Sequence, residues 1–156
     1  MPEINKTNLI DAQGNLIPIN IELIESSGPV SPPYQFYLEI AIKNEGSGLR
    51  MQYSYKGKFI AGEPEEKKNI DELIPKDKSI KILESLLDLN ALGINVELSE
   101  DVKNNVGISF NEFNLQIGAK DKTKILYTLG DLDEPNFELQ TKIIEFVKKL
   151  DNWNSL

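Results

Sequence analysis

Residues 34–56 read YQFYLEIAIK-NEGSG-LRMQYSYK. In the first block Tyr34, Phe36, Leu38, Ile40 and Ile42 share one side, with Gln35, Tyr37, Glu39, Ala41 and Lys43 on the other. The last block repeats the two-residue period: Leu49, Met51, Tyr53 and Tyr55 oppose Arg50, Gln52, Ser54 and Lys56. Between them, Asn44 to Gly48 supplies a glycine-containing turn. Two alternating runs across such a turn predict an antiparallel hairpin with one buried and one wetted face.

Upstream, Ile19, Ile21 and Leu23 alternate with Asn20, Glu22 and Ile24, which predicts a strand over 19–25. The next stretch, Ser26-Ser27-Gly28-Pro29-Val30-Ser31-Pro32-Pro33, carries three prolines and a glycine in eight residues. It can continue neither a ladder nor a helix and reads as a stiff, exposed connection. Residues 1–18 are polar, with a turn signal at 11–15, and are expected to form an irregular arm or a short edge element.

Downstream, residues 57–76 lack a clear period, and 62–69 read as a solvated loop. A helix is predicted from about Asp77, a candidate N-cap, with Ile80, Leu83, Leu86 and Leu87 as its apolar stripe. It should end between Asn90 and Gly93. Residues 94–98 read as a short strand or a packed tail. The apolar positions then switch from even (Val106, Ile108, Phe110) to odd (Phe113, Leu115, Ile117), which requires a turn or bulge near 111–112. A turn at 119–122 leads to Ile125, Tyr127 and Leu129, giving a second hairpin. Asp133 is placed to cap a last helix, with Leu132 stapling onto Phe137 and Ile143, Phe146 or Val147, Leu150 and Trp153 at helical spacing. The expected architecture is one α+β domain over 1–156. Its sheet is mostly antiparallel, two hairpins plus an N-terminal strand, with two amphipathic helices packed on one face.

The composition excludes much chemistry. There is no histidine and no cysteine, so imidazole and thiolate catalysis are absent and zinc and copper lose their usual ligands. The net charge is −8, and Arg50 is the only arginine. Neither suits a phosphate backbone or an anionic lipid surface, so nucleic-acid and membrane partners are not expected. No apolar run approaches a membrane span and the amino terminus does not read as a signal peptide, so the expected compartment is the cytoplasm.

Each chemical motif has a simpler structural explanation. Gly46-Ser47-Gly48 lacks a following lysine and a helix start, so it reads as a hairpin turn and not a phosphate cradle. Asp131, Asp133 and Glu134 fit a helix amino terminus better than a calcium loop. Glu63, Glu65, Glu66, Asp71 and Glu72 interleave with Lys67 and Lys68 as a solvated surface does. Ser26-Ser27-Gly28 is no nucleophile elbow. Pro2 as an amino-terminal base would need a buried strand that its neighbours do not predict. No catalytic residue, cofactor or metal ligand is therefore assigned.

Glu25-Ser26-Ser27-Gly28 after the first strand, the helix ending in Asp88-Leu89-Asn90-Ala91-Leu92-Gly93, and the final helix together resemble the emfourin family over about 19–150. Emfourins are small inhibitors of thermolysin-like metalloproteases. The resemblance implies a binding module whose loop blocks an enzyme. It departs from the family where Pro29-Val30-Ser31-Pro32-Pro33 replaces the further glycine and small residues of that loop.

The expected function is a non-catalytic protein-interaction module, an enzyme inhibitor or immunity-type protein. Its candidate contact residues are Ser26, Ser27, Gly28, Pro29, Pro32 and Tyr37. A rigid loop loses little entropy on docking, Tyr37 lies opposite in phase to Phe36, and the acidic surface favours a basic protein partner. The alternative is an enzyme or small-ligand carrier using carboxylates and tyrosines, distinguished by a deep pocket.

Overall fold

A computed structural model describes residues 4–27, 35–57, 62, 64, 66–93, 111–118, 123–127 and 137–156. Its centre is a six-stranded antiparallel sheet, so the chain is α+β. In chain order the strands are β1 (Ile19–Ser26), β2 (Phe36–Glu45), β3 (Gly48–Gly57), β4 (Glu66–Ile74), β5 (Asn111–Ile117) and β6 (Thr123–Tyr127). The helices are α1 (Lys76–Asp88) and α2 (Glu138–Lys148), and short 3-10 turns follow at Ala91–Gly93 and Leu150–Ser155.

Across the sheet the order is β4-β3-β2-β1-β5-β6. The alternating stretch forms β2 and β3 in an unbroken register from Phe36↔Gly57 to Glu45↔Gly48. Gly46 has φ 60°, the positive value needed at the first central residue of a tight II′ hairpin turn. The phase of the apolar residues fixes the buried face. Ile21, Ile42 and Met51 lie side by side across three strands, each 0% exposed. At about 1.5–3 kcal/mol for each large apolar side chain buried, a one-residue slip would forfeit whole rows.

Residues from the helical segments meet the inward side chains. Ile82, Leu83 and Leu86 of α1 and Ile143, Ile144 and Val147 of α2 are buried in the same core as the sheet residues. Trp153 Nε1 donates to Glu72 Oε2 at 2.9 Å, and Lys68 pairs with Asp151 at 2.6 Å, holding the last 3-10 turn against β4. Tyr53 donates its hydroxyl to the Lys148 carbonyl at 3.4 Å, one of the carbonyls that a helix end leaves unpaired.

Three expectations change. The expected solvated loop over 62–69 is in part strand, because β4 begins at Glu66 and pairs with β3 along its whole length. Its charged side chains are exposed as predicted; the ladder, and not apolar period, makes it a strand. Asp77 lies within the first turn of α1, whose N-cap is Pro75 with no side-chain cap bond. The Pro75 carbonyl accepts from Ser79 N at 2.8 Å, so the helix starts there without the side-chain cap that Asp77 was expected to give. The amino-terminal arm folds back on itself through an Ile10↔Leu16 bridge and buries Leu9 and Leu16. Asn44 holds it down, accepting from Ile19 N and donating to the Leu16 carbonyl.

The second hairpin exists as β5 paired with β6. The predicted elements at 94–98 and 106–110, the turn at 119–122, and Pro2, Leu132, Asp133 and Glu134 lie outside the described residues. The expected Asp133 cap is nevertheless displaced, because α2 begins at Glu138 with Phe137 at its N-cap and no side-chain cap bond.

Candidate partner-binding site

The connection over 28–34 joins the end of β1 to the start of β2. Its mouth is closed by a two-way clamp. Ser27 N donates to the Phe36 carbonyl at 3.2 Å, and Phe36 N donates to Ser27 Oγ at 3.0 Å. One position inward, Ser26 stands opposite Tyr37 in the register. Ser26 N turns the other way and donates to Asn111 Oδ1 at 2.8 Å, on a side chain only 4% exposed. A serine is well suited here, since its side chain can replace a backbone acceptor where a ladder gives way to a loop.

Beneath this mouth lies a buried polar cluster. Glu25 is in phase with Ile19, Ile21 and Leu23, so its carboxylate points into the core and is 1% exposed. Tyr127 donates its hydroxyl to Glu25 Oε2 at 2.6 Å, and Lys148 pairs with Glu25 Oε1 at 2.8 Å. Lys148 also approaches Glu145 at 3.5 Å. Burial, then the neighbouring Glu25 charge, pushes the Tyr127 phenol well above its ordinary value. For Lys148, burial opposes the charge, but the hydrogen bond and attraction of Glu25 outweigh it, and its pKa lies above the usual lysine value. Burial pushes Tyr53 up to about 12. The cluster thus holds a neutral phenol, a carboxylate and an ammonium that satisfy one another.

Of the sequence-predicted contact residues, Ser26 and Ser27 are at the loop root, and Gly28, Pro29 and Pro32 lie outside the described residues. Tyr37 is 41% exposed on the face opposite the buried one, and Ile24, diagonal to it across β1 and β2, is 36% exposed. Tyr37 therefore stands beside the loop root on an open surface. Phe36, its neighbour in sequence, turns inward and stacks on Tyr55 with ring centroids 6.5 Å apart.

The cluster of Glu25, Tyr127 and Lys148, with Asn111, was not singled out from the sequence. The signal was present, because Glu25 continues the odd-numbered apolar phase of its strand, where a charge demands a partner. Nothing local identifies those partners, 102 and 123 residues away for Tyr127 and Lys148 by their numbering (127 − 25 and 148 − 25).

Two concavities bear on the ligand-carrier alternative. One of about 430 Å³ is open to solvent and involves Glu39, Ala41, Gln52, Ser54, Asn69 and Asp71 on the sheet. Another of about 300 Å³ lies between the amino-terminal arm and the end of α1, near Lys6 and Asp88. Neither is lined by Glu25, Tyr127 or Lys148, so neither brings the buried acid to a ligand. Among the described residues no three acidic side chains converge as a metal site requires, and no helix is long and apolar enough to cross a membrane. Comparison of the chain with protein-family models, curated proteins and solved structures finds no match.

Proposed function

We propose that this chain is a non-catalytic protein-interaction module that docks through the 26–33 segment and the adjacent Tyr37, acting as an enzyme inhibitor or immunity-type protein in the cytoplasm. The observation that carries it is the Ser27–Phe36 clamp above the buried Glu25–Lys148 pair. A loop held at its root by paired backbone and side-chain bonds loses less freedom on docking than a loose one. Both helices cover the inward face of the sheet in this proposal, leaving the face that carries Tyr37 open to a partner. The charge of −8 favours a partner with a basic surface. The emfourin resemblance makes a metalloprotease the first partner class to test.

The test compares the intact chain with one in which residues 28–33 are replaced by glycine and serine. Both are titrated into a thermolysin-like metalloprotease and used as bait in the native cell extract. Loss of peptidase activity, or of a specific captured enzyme, with the intact chain alone supports the assignment. Equal behaviour of two equally folded chains removes the loop from the function.

A further inference from the structure

β4 borders the sheet, with β3 as its strand partner. Leu49 and Ile74 face each other in that register, and Ser79 Oγ joins the Leu49 amide to the Ile74 carbonyl. Ile74 therefore turns its backbone groups toward β3. Antiparallel ladders alternate, so Lys68, Ile70 and Glu72 face β3 as well. Lys67, Asn69, Asp71 and Leu73 direct their N–H and C=O groups to the outer edge.

Among the described residues no strand pairs with this edge, which is long for one left open. It runs nine residues, keeps continuous register with β3, and contains neither proline nor glycine. Short length, proline and bulges are common ways to blunt an edge, and none is used here. Charge is the device present, and its order decides which strand is admitted. Lys67 and Lys68 precede the neutral Asn69 and Ile70, and Asp71 and Glu72 follow. A parallel copy would set like charges together, whereas an antiparallel copy sets lysines against acids.

We propose that β4 pairs antiparallel with β4 of a second copy of this chain, about a two-fold axis at Ile70. In this register Lys68 of each copy faces Glu72 of the other, Asn69 faces Asp71, and Ile70 meets Ile70. Lys67 lays its aliphatic stem over Leu73, which is otherwise 51% exposed. The outward backbone groups of 67, 69, 71 and 73 then find one another. Moving the axis to Asn69 would oppose Glu66 to Glu72, so like-charge repulsion selects Ile70. The product is one continuous sheet through both copies, and it is independent of the loop proposed for docking.

Sedimentation equilibrium of the whole chain tests this. The expected mass doubles with rising concentration and returns to one chain on dilution. Lys68→Glu or Glu72→Lys alone should abolish the dimer. The two together should restore it although they still lack the intrachain contacts to Asp151 and Trp153, which separates pairing between copies from those contacts. Because the chain has no cysteine, Ile70→Cys should oxidise to a single symmetric disulfide; the unbonded pair at such an axis has Cα atoms about 4.5 Å apart, within disulfide reach. Circular dichroism confirms that each variant is folded. A wild-type mass that stays at one chain at every concentration overturns the proposal. So does a dimer that survives either single charge reversal.

Discussion

The Lys148 ammonium lies 2.8 Å from Glu25 Oε1, joining the end of α2 to the last inward residue of β1. Glu25 immediately precedes the two serines that root the 26–33 segment. One charged pair, with the Tyr127 hydroxyl on the other carboxylate oxygen, thus fixes both a helix and a loop root. The arrangement costs desolvation, which a carboxylate at 1% exposure recovers only while its partners remain.

Removing one member should therefore hurt more than removing all three. Glu25→Ala leaves Lys148 and Tyr127 without their shared acceptor and is expected to lower stability by about 3 kcal/mol. Glu25→Leu combined with Lys148→Met and Tyr127→Phe should recover most of that loss, because packed apolar groups need no partner. Urea unfolding of the variants measures both. A triple variant less stable than Glu25→Ala would show that the cluster contributes net stability.

Alkaline pH should loosen the fold. The Tyr127 phenol and the Lys148 ammonium both have raised values in the folded state, and Tyr53 is pushed up to about 12. Their contributions are fully present below the ordinary values near 10. Above about 10 the unfolded chain releases these protons first, so stability falls as pH rises, by about 1.4 kcal/mol per pH unit for each proton so withheld. Tyr127→Phe should flatten the decline. Chemical unfolding at stepped pH, with tyrosinate absorbance alongside, checks the sign.

Ser27→Ala should open the loop mouth without unfolding the sheet. It removes the acceptor of Phe36 N and leaves the Ser27 N to Phe36 carbonyl bond in place. The expected cost is about 1 kcal/mol, or about fivefold faster amide exchange at Phe36. Exchange there should respond while that of Ile40 and Ile42, further along β2, does not. Equal protection in both proteins would mean that the hydroxyl plays no part in closing the loop.

What the sequence disclosed divides along physical lines. β1, β2 and β3 are legible because each has one apolar phase, and burial makes that phase costly to break. β4 is not, since its residues 66–73 include only Ile70 and Leu73 as apolar positions and those fall on opposite faces. Its strand state comes from pairing with β3, a tertiary cause that no local pattern carries. For the candidate site, Ser26, Ser27 and Tyr37 could be named from loop composition and phase. Lys148 and Tyr127 could not, because a charge in a helix's last turn and a tyrosine in an apolar phase both have sufficient local explanations.

Ser79 shows how a small polar residue can decide a strand-to-helix junction. It is 0% exposed, accepts from Leu49 N at 3.0 Å and donates to the Ile74 carbonyl at 3.0 Å. The two backbone groups would pair directly in a regular ladder, but the chain turns from β4 into α1 here and the hydroxyl fills the gap. Ser79→Ala strands a buried donor and a buried acceptor together, an expected loss of about 2 kcal/mol. For a chain of this size that lowers the melting temperature by about 4–8 °C. Ser85→Ala, which removes only a bond to the Lys81 carbonyl within the same helix, should change it little. Thermal unfolding of both variants decides. Equal melting temperatures would mean that β3 and β4 close directly once the hydroxyl is gone.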